Sequence, residues 1–363
     1  MGTLTVQLPD TSYDVHIDNG VYELLSNRYK ELLDSADKIG IIADEQVASI
    51  HLQILLVALQ KCGIEPVVKI VPAGEQCKTA AVYVECQSFL LNESFTRNSM
   101  LIAFGGGACG DLTGFIAATF MRGIRFIQCP TTILSHDSAV GGKTAINLPE
   151  GKNMIGSFHQ PAAVLFETSL FRTLPVREIR SGLAELMKHA FISDPYWSQQ
   201  LLAEKSFISP SEKWLAEELL KGIRVKATIV AEDEFEQSSR KYLNFGHTFG
   251  HAVEAVCGFG GLSHGECIMI GMAFSFVMSE NHGELDAVFT NKFIQFAKKN
   301  GYPFSPVSDY EFEEFLAFMI KDKKATFGKM NFVVLEKLGS PIVKTISTEE
   351  CRKVFEELVR RIQ

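Results

Sequence analysis

The sequence contains no Cys-x-x-Cys pair: its eight cysteines, at 62, 77, 86, 109, 129, 257, 267 and 351, are scattered. That spacing excludes a thiolate zinc ribbon and gives no disulfide framework, so reduced, core-filling thiols are expected. Positive charge is not in excess either, because 363 residues carry a formal charge of -8. An extended nucleic-acid surface is thereby disfavoured, although local basic clusters can still grip small anions. No apolar run is long enough to cross a bilayer; the longest, at 268–278, has about half the required length. The opening MGTLTVQ has no basic region followed by an apolar run, and Val6 stands where a myristoylation pattern wants Ser or Thr. A cytoplasmic protein without nucleic-acid or membrane partners is the expectation. Internal repeats and low-complexity segments are also missing.

What is present is the composition of a soluble globular protein, with 46% hydrophobic and 21% charged residues. At this length the chain should bury a large core and divide in two. Up to about residue 170, β-rich runs at 39–43, 66–71, 100–104, 126–128 and 163–166 alternate with helical stretches such as 47–62 and 80–91. Such alternation implies an α/β fold, a parallel Rossmann-like sheet with helices on its faces. Beyond Thr173 long amphipathic helices dominate, and only 332–335 and 342–346 look extended. The expected division is an α/β domain over 1–172 and a mainly α-helical domain over 173–363.

In FGGGACGDLTGF, residues 104–115, Gly105, Gly107 and Gly110 fit G-x-G-x-x-G between a strand-like and a helix-like run. Glycines of this kind let the backbone approach a pyrophosphate whose charge is met by amides at a helix N-terminus. The context departs from an ordinary nicotinamide dehydrogenase. About a hundred residues precede the motif, and segment 122–136 lacks the Asp or Glu that would hold a ribose. Asp44, just past the first interior strand, is a substitute for that acid; a plain Gly-rich turn is the competing reading.

The second half carries the stripe RKYLNFGHTFGH, residues 240–251. A helix beginning near Asn244 would put Asn244, His247 and His251 on one face, with Arg240 leading into it. One such histidine alone would be a satisfied core side chain, but two in register with Asn and Arg favour a ligand or metal. His264 supplies a third imidazole 17 residues after His247. Three histidines, or two and a carboxylate, can make an open zinc site. Glu185 in SGLAELMKH is the best carboxylate candidate, against the alternative of a surface ion pair with Lys188. A third cluster, PTTILSHDSAVGGKTAINLPEGKNMIG at 130–156, sets Lys143, Lys152 and Asn153 beside glycines, where ammonium groups and amides can meet phosphate. Solvated loop lysines are the alternative there. Asp137 is a candidate to orient a substrate hydroxyl or a lysine. Together with Lys188, Lys226, Arg240 and DKK at 322–324, the cationic set exceeds what a neutral polyol needs and implies a phosphorylated, carboxylated substrate.

These motifs, from AGEQCKT at 73–79 to DKK at 322–324, resemble the 3-dehydroquinate synthase family of sugar-phosphate cyclases, and HDSAVGGK resembles its Gram-positive form. The resemblance implies conversion of 3-deoxy-D-arabino-heptulosonate 7-phosphate into 3-dehydroquinate and phosphate, in the shikimate pathway. It implies metal ligands Glu185, His247 and His264 for zinc or cobalt, with His251 facing substrate phosphate. NAD would be lined by Asp44, Glu75, Lys78, Gly105, Gly106, Gly107, Asp111, Thr131, Thr132, Lys143, Lys152 and Thr173. Asp137, Lys143, Lys188, Lys226, Asn244 and His251 would serve catalysis. The substrate would be bound by Arg122, Lys143, Lys152, Asn153, Lys226, Arg240, Asn244, His251 and Lys323. A homodimer with Arg122 reaching the neighbouring site is implied by the family alone. Sister cyclases with other sugar phosphates, and metal-dependent polyol dehydrogenases, share this plan and remain alternatives.

Overall fold

A computed structural model describes residues 2–205, 207–236, 238–258, 261–322 and 329–363. Lys323, expected at the substrate, lies outside the described residues. The chain divides into two compact units: residues 1–174 with 211–231, and 175–210 with 232–363. The helix Glu212–Glu232 therefore packs almost wholly in the first unit, although it follows residue 172.

The first unit is built on a seven-stranded sheet. Its strands are β1 (Gly2–Gln7), β2 (Ser12–Asp18), β3 (Ile39–Asp44), β4 (Val67–Val71), β5 (Met100–Gly105), β6 (Arg125–Pro130) and β9 (Ala163–Glu167). The order is β1-β2-β9-β6-β5-β3-β4. All neighbours run parallel except β1 and β2. β3 and β5 are buried along their whole length, which is why they read as continuous apolar runs and not as alternating ones. One face is covered by the helix Glu45–Lys61 and the turn Val21–Ser26, the other by the helices Ala80–Asn92 and Gly107–Thr119.

The five strands expected from the sequence in this unit are β3, β4, β5, β6 and β9. The hairpin β1–β2 was not expected, and β7 (Lys143–Leu148) with β8 (Gly151–Phe158) forms a second antiparallel hairpin where the sequence suggested Gly-rich turns. Among the described residues the second unit is mostly helical, with a hairpin of β10 (Lys329–Lys337) and β11 (Ser340–Ser347). Its core is rich in phenylalanine: Phe191, Phe276, Phe289 and Phe293 meet edge to face, and Phe249 stacks on Phe274 at 4.2 Å. The structure is thus the α/β fold with a mainly helical C-terminal portion that the sequence implied.

Candidate active site

In the first unit, β5 ends at Gly105 and the chain passes through Gly106 into the helix Gly107–Thr119. The chain leaves β3 toward β4 and β5 toward β6, so the direction of winding reverses between these adjacent strands. Open α/β sheets take ligands in the crevice at the carboxyl ends of such a pair. Asp44 and Gly105 stand at those ends, and a Cβ on Gly105 would lie 2.6 Å from Cys109 Cβ and 2.9 Å from Asp44 Cβ. Only glycine closes the loop this tightly. Asp44 caps the following helix: its Oδ1 accepts from the N–H groups of Gln46 and Val47 at 3.0 and 3.1 Å, and its Oδ2 from Gly74 at 2.8 Å.

The other candidates of the first unit are held as follows. The Thr131 N–H donates to the Gly105 carbonyl at 3.0 Å, and Thr132 Oγ1 lies 2.8 Å from Ser135 Oγ. Thr173 Oγ1 is 2.7 Å from His51 Nε2. Lys78, buried, donates from Nζ to Asp111 Oδ2 and Asn153 Oδ1, each at 2.6 Å. Burial works against its charge, but the carboxylates of Asp111 and Glu75 outweigh burial and hold the ammonium above its usual pKa. Lys226 reaches from its helix to Asp137, donating to the backbone carbonyl and standing 3.2 Å from Oδ1. Lys143 opens β7, Lys152 and Asn153 lie near the start of β8, and all three are carried on paired strands instead of loose loops. Arg122 is exposed in a turn where Met121, Arg122 and Gly123 have φ of 47°, 72° and 126°.

In the second unit the expected helix from Asn244 is corrected. Residues Ser239–Asn244 form a 3-10 turn, Gly246 breaks the chain at φ 80°, and the helix runs from His247 to Val256. The position requires glycine, because of its positive φ and because any Cβ there would meet Met272 Cγ at 2.7 Å and Met272 N at 2.9 Å. Asn244 therefore does not share a helical face with the histidines; its Nδ2 donates to Glu236 Oε1 at 3.0 Å. Arg240, only 2% exposed, is tied through its backbone N–H to Asp233 Oδ2 at 3.0 Å and through its guanidinium to the Glu234 carbonyl.

His247 and His264 start their helices, and Glu185 lies inside the helix Val176–Ser193. Two close approaches bring these helices together. A Cβ on Gly265 would fall 2.1 Å from the Ser181 carbonyl oxygen, and one on Gly271 would fall 1.9 Å from that of Gly246. Glu185 Oε1 consequently lies 3.4 Å from His247 Nε2 and 3.2 Å from His264 Nε2. One ligand atom from each of the three falls within 4.8 Å of the others. Lys188 Nζ is 2.6 Å from Glu185 Oε2 with both side chains 1% exposed, so this pair is buried and the surface alternative is set aside.

Burial depresses the His247 pKa far below its ordinary value, more than the Glu185 carboxylate restores. His264 is also opposed by burial, but its bonds to Glu185 and Glu254 raise it to about 9. Two imidazoles and one carboxylate are the donor set of a three-ligand divalent-metal site that keeps a position for a substrate oxygen, and nitrogen and oxygen donors suit zinc or cobalt. His251 lies beside the trio, its ring centroid 5.2 Å from that of His247, but does not join it. Spacing alone had left the pair His247 and His251 open. Glu254, 3.4 Å from His264 Nδ1, was not singled out in the sequence. Its signal is legible once the helix starts at His247, for Glu254 then follows His251 by one turn.

Residues 68–181 match the family model described as 3-dehydroquinate synthase N-terminal, and residues 182–325 match 3-dehydroquinate synthase C-terminal. A 3-dehydroquinate synthase of Lysinibacillus sphaericus (strain C3-41) is 58% identical over 288 residues, 79% of each chain. That of Listeria monocytogenes serotype 4b (strain CLIP80459) is 43% identical over 365 residues, 99% of this chain and 98% of its own. Among solved structures, the 2-epi-5-epi-valiolone synthase ValA from Streptomyces hygroscopicus subsp. jinggangensis 5008, with NAD+ and Zn2+ bound, superposes with a TM-score of 0.86. At 24% identity, covering 98% of this chain and 99% of that one, the likeness extends to the fold. The two matching family models agree with both relatives, the second covered almost completely, and the chain belongs to the 3-dehydroquinate synthase family.

Proposed function

We propose that the chain is a working 3-dehydroquinate synthase, a carbon–oxygen lyase that converts 3-deoxy-D-arabino-heptulosonate 7-phosphate into 3-dehydroquinate and phosphate. The observation that carries this reading is the Glu185, His247 and His264 trio, within 4.8 Å, on a segment matched by the family's C-terminal model. These three would hold zinc or cobalt, while Asp44, the Gly105 to Gly107 turn and the residues around them would hold NAD. When bound, NAD would supply reversible hydride acceptance at one ring carbon, and the metal would supply Lewis acidity for the hydroxyl on that carbon.

The chain's own residues then bind and position. Arg240, buried and anchored at its backbone, would pair with the substrate carboxylate together with Asn244. Lys143, Lys152, Asn153 and His251 would clamp the phosphate, with Lys226 held by Asp137. Fixing that group lets one of its own oxygens take the elimination proton as the carbon–oxygen bond breaks, with the electron pair leaving on phosphate. Catalysis by placement then matters more than a protein base. In this reading residues 1–172 form the NAD domain and 173–363 the metal and substrate domain. We also propose a cytoplasmic homodimer in which Arg122 serves the neighbouring site.

Identity of 58% and 43% to synthases, against 24% to the valiolone synthase, favours this substrate over those of sister cyclases. The test is to supply heptulosonate phosphate with NAD and zinc, then follow phosphate, NADH and the carbocycle. Dehydroquinate and phosphate without net NADH are expected. Turnover of another sugar phosphate alone, or accumulating NADH with a polyol, would overturn the assignment.

A further inference from the structure

We propose that Asn147 is a positioning residue for this reaction: its single carboxamide sets the Glu75 carboxylate and the Asn153 backbone at once. The turn assigned to NAD and the strand assigned to substrate are thereby built as one piece. The inference rests on the reading above, in which Glu75 and Lys78 serve NAD and Asn153 serves the substrate.

Both ends of the Asn147 side chain are committed. Nδ2 donates to Glu75 Oε2 at 2.9 Å, and Oδ1 accepts from the Asn153 N–H at 2.9 Å. Its backbone N–H donates to the Lys78 carbonyl at 2.8 Å, and the residue bridges to Thr79. Lys78 closes the circuit by donating to Asn153 Oδ1 and Asp111 Oδ2, at 2.6 Å each. The β7–β8 ladder makes this possible, because its register shifts between Ile146 and Leu148. Asn147 sits at the shift, and such an irregularity re-aims a side chain out of the hairpin's own pairing. Asn153 itself has φ 58°, a left-handed conformation that asparagine tolerates and that aims its N–H at Asn147. An amide suits the position uniquely, because one end must accept from a backbone N–H while the other donates to a carboxylate.

The test uses full-length protein, NAD titration by calorimetry, steady-state kinetics with heptulosonate phosphate, and thermal melting. Asn147→Ala should raise the NAD Kd and the substrate KM about tenfold each, with little change in Tm. Asn147→Asp keeps the acceptor for Asn153 but opposes Glu75 with a second carboxylate. Its KM should stay within about twofold while the NAD Kd rises about tenfold or more. Adding Glu75→Gln to Asn147→Asp restores a donor opposite the new carboxylate, so NAD affinity should exceed the sum of the single effects. If Asn147→Asp moves Kd and KM alike, or the double variant is only additive, Asn147 is mere scaffold and the proposal fails. Glu75→Gln and Asn153→Ala alone separate the two levels. Should neither alter NAD or substrate binding, the site assignment itself fails and takes the proposal with it. Should both alter binding while Asn147→Ala does not, only the positioning role is lost.

Discussion

The first unit holds its candidate residues largely with main chain, whereas the second holds its metal candidates by the close approach of helices. Asp44 accepts three backbone N–H bonds, Thr131 is tied to the Gly105 carbonyl, and Lys226 reaches the carbonyl of Asp137. In the second unit Glu185, His247 and His264 come from three helices that meet because Gly265 and Gly271 bring backbones into contact. A cofactor that is long, flexible and common suits the first arrangement: backbone amides are rigid donors that no side-chain rotamer can misplace. A three-ligand metal site demands a fixed triangle of lone pairs, which side chains on stiff elements supply more precisely than loops do. The difference teaches that damage should stay local to each mode of construction.

The largest expected effect comes from removing one corner of the triangle. His247→Ala should lose bound metal, read by elemental analysis, and lower kcat by about a thousandfold or more, because Lewis acidity contributes several kcal/mol at the hydroxyl. NAD affinity should remain near wild type. A variant that keeps full metal occupancy and turnover would break both the ligand assignment and the comparison. Arg240→Ala comes next: deleting a buried, charge-assisted contact to a carboxylate should raise the substrate KM roughly a hundredfold and leave NAD binding almost unchanged. Equal losses for both ligands would point to a folding defect spread through the second unit.

A pair of glycine substitutions sharpens the comparison. On Gly271 a Cβ would fall 1.9 Å from the Gly246 carbonyl oxygen; on Gly105 it would fall 2.6 Å from Cys109 Cβ. Either change should cost about 1–3 kcal/mol of stability through overpacking, but the functional losses should diverge. Gly271→Ala should weaken metal retention without touching a ligand, and Gly105→Ala should weaken NAD binding while metal content holds. The two tryptophans report separately, because Trp214 belongs to the first unit and Trp197 to the second. Melting should be lowered in Trp197 fluorescence by the Gly271 change and in Trp214 fluorescence by the Gly105 change. If both variants lose both ligands, the units do not fail independently.

The same contrast governs what the sequence revealed. The interior strands were legible because strands buried on both faces are runs of β-branched and aliphatic residues, as in Met100–Gly105. β7 and β8 were not, because Lys143, Asn147, Asn153 and the glycines at 141, 142, 151 and 156 imitate a loop, while the pairing partner lies across a turn. The candidate metal residues were legible as types, since two histidines and a buried-looking Glu stand out in apolar helices. Their grouping was not. Helical periodicity placed His251 with His247, and the inclusion of His264 and Glu185 depends on backbone approaches between helices at Gly265 and Gly271, which no local pattern encodes. The start of the His247 helix was misjudged for a related reason: the demand for glycine at the break, residue 246, comes partly from Met272, a residue distant in sequence.

The smallest expected effect concerns the sheet's antiparallel edge, where the first unit departs from its main-chain mode and buries a titratable side chain. His16 on β2 is 2% exposed, with Nδ1 2.9 Å from Thr3 Oγ1 and Nε2 2.8 Å from Tyr29 OH. Burial lowers its pKa below the ordinary 6.5; Asp14 works in the opposite sense and Arg28 adds to the depression. The folded chain therefore binds fewer protons at this site than the unfolded chain as pH falls through the ordinary histidine range. Stability contributed by neutral His16 is present above that range, declines as pH drops through it, and stops declining below the folded pKa. Between about pH 7.5 and about pH 5.5, Trp214-detected melting should fall more in wild type than in His16→Gln, which keeps a hydrogen-bonding side chain without the titration. Trp197-detected melting should show no such dependence on residue 16. An equal pH response in both variants would place the acid sensitivity elsewhere, and a response carried equally to Trp197 would show that the two modes of construction share one cooperative unfolding step.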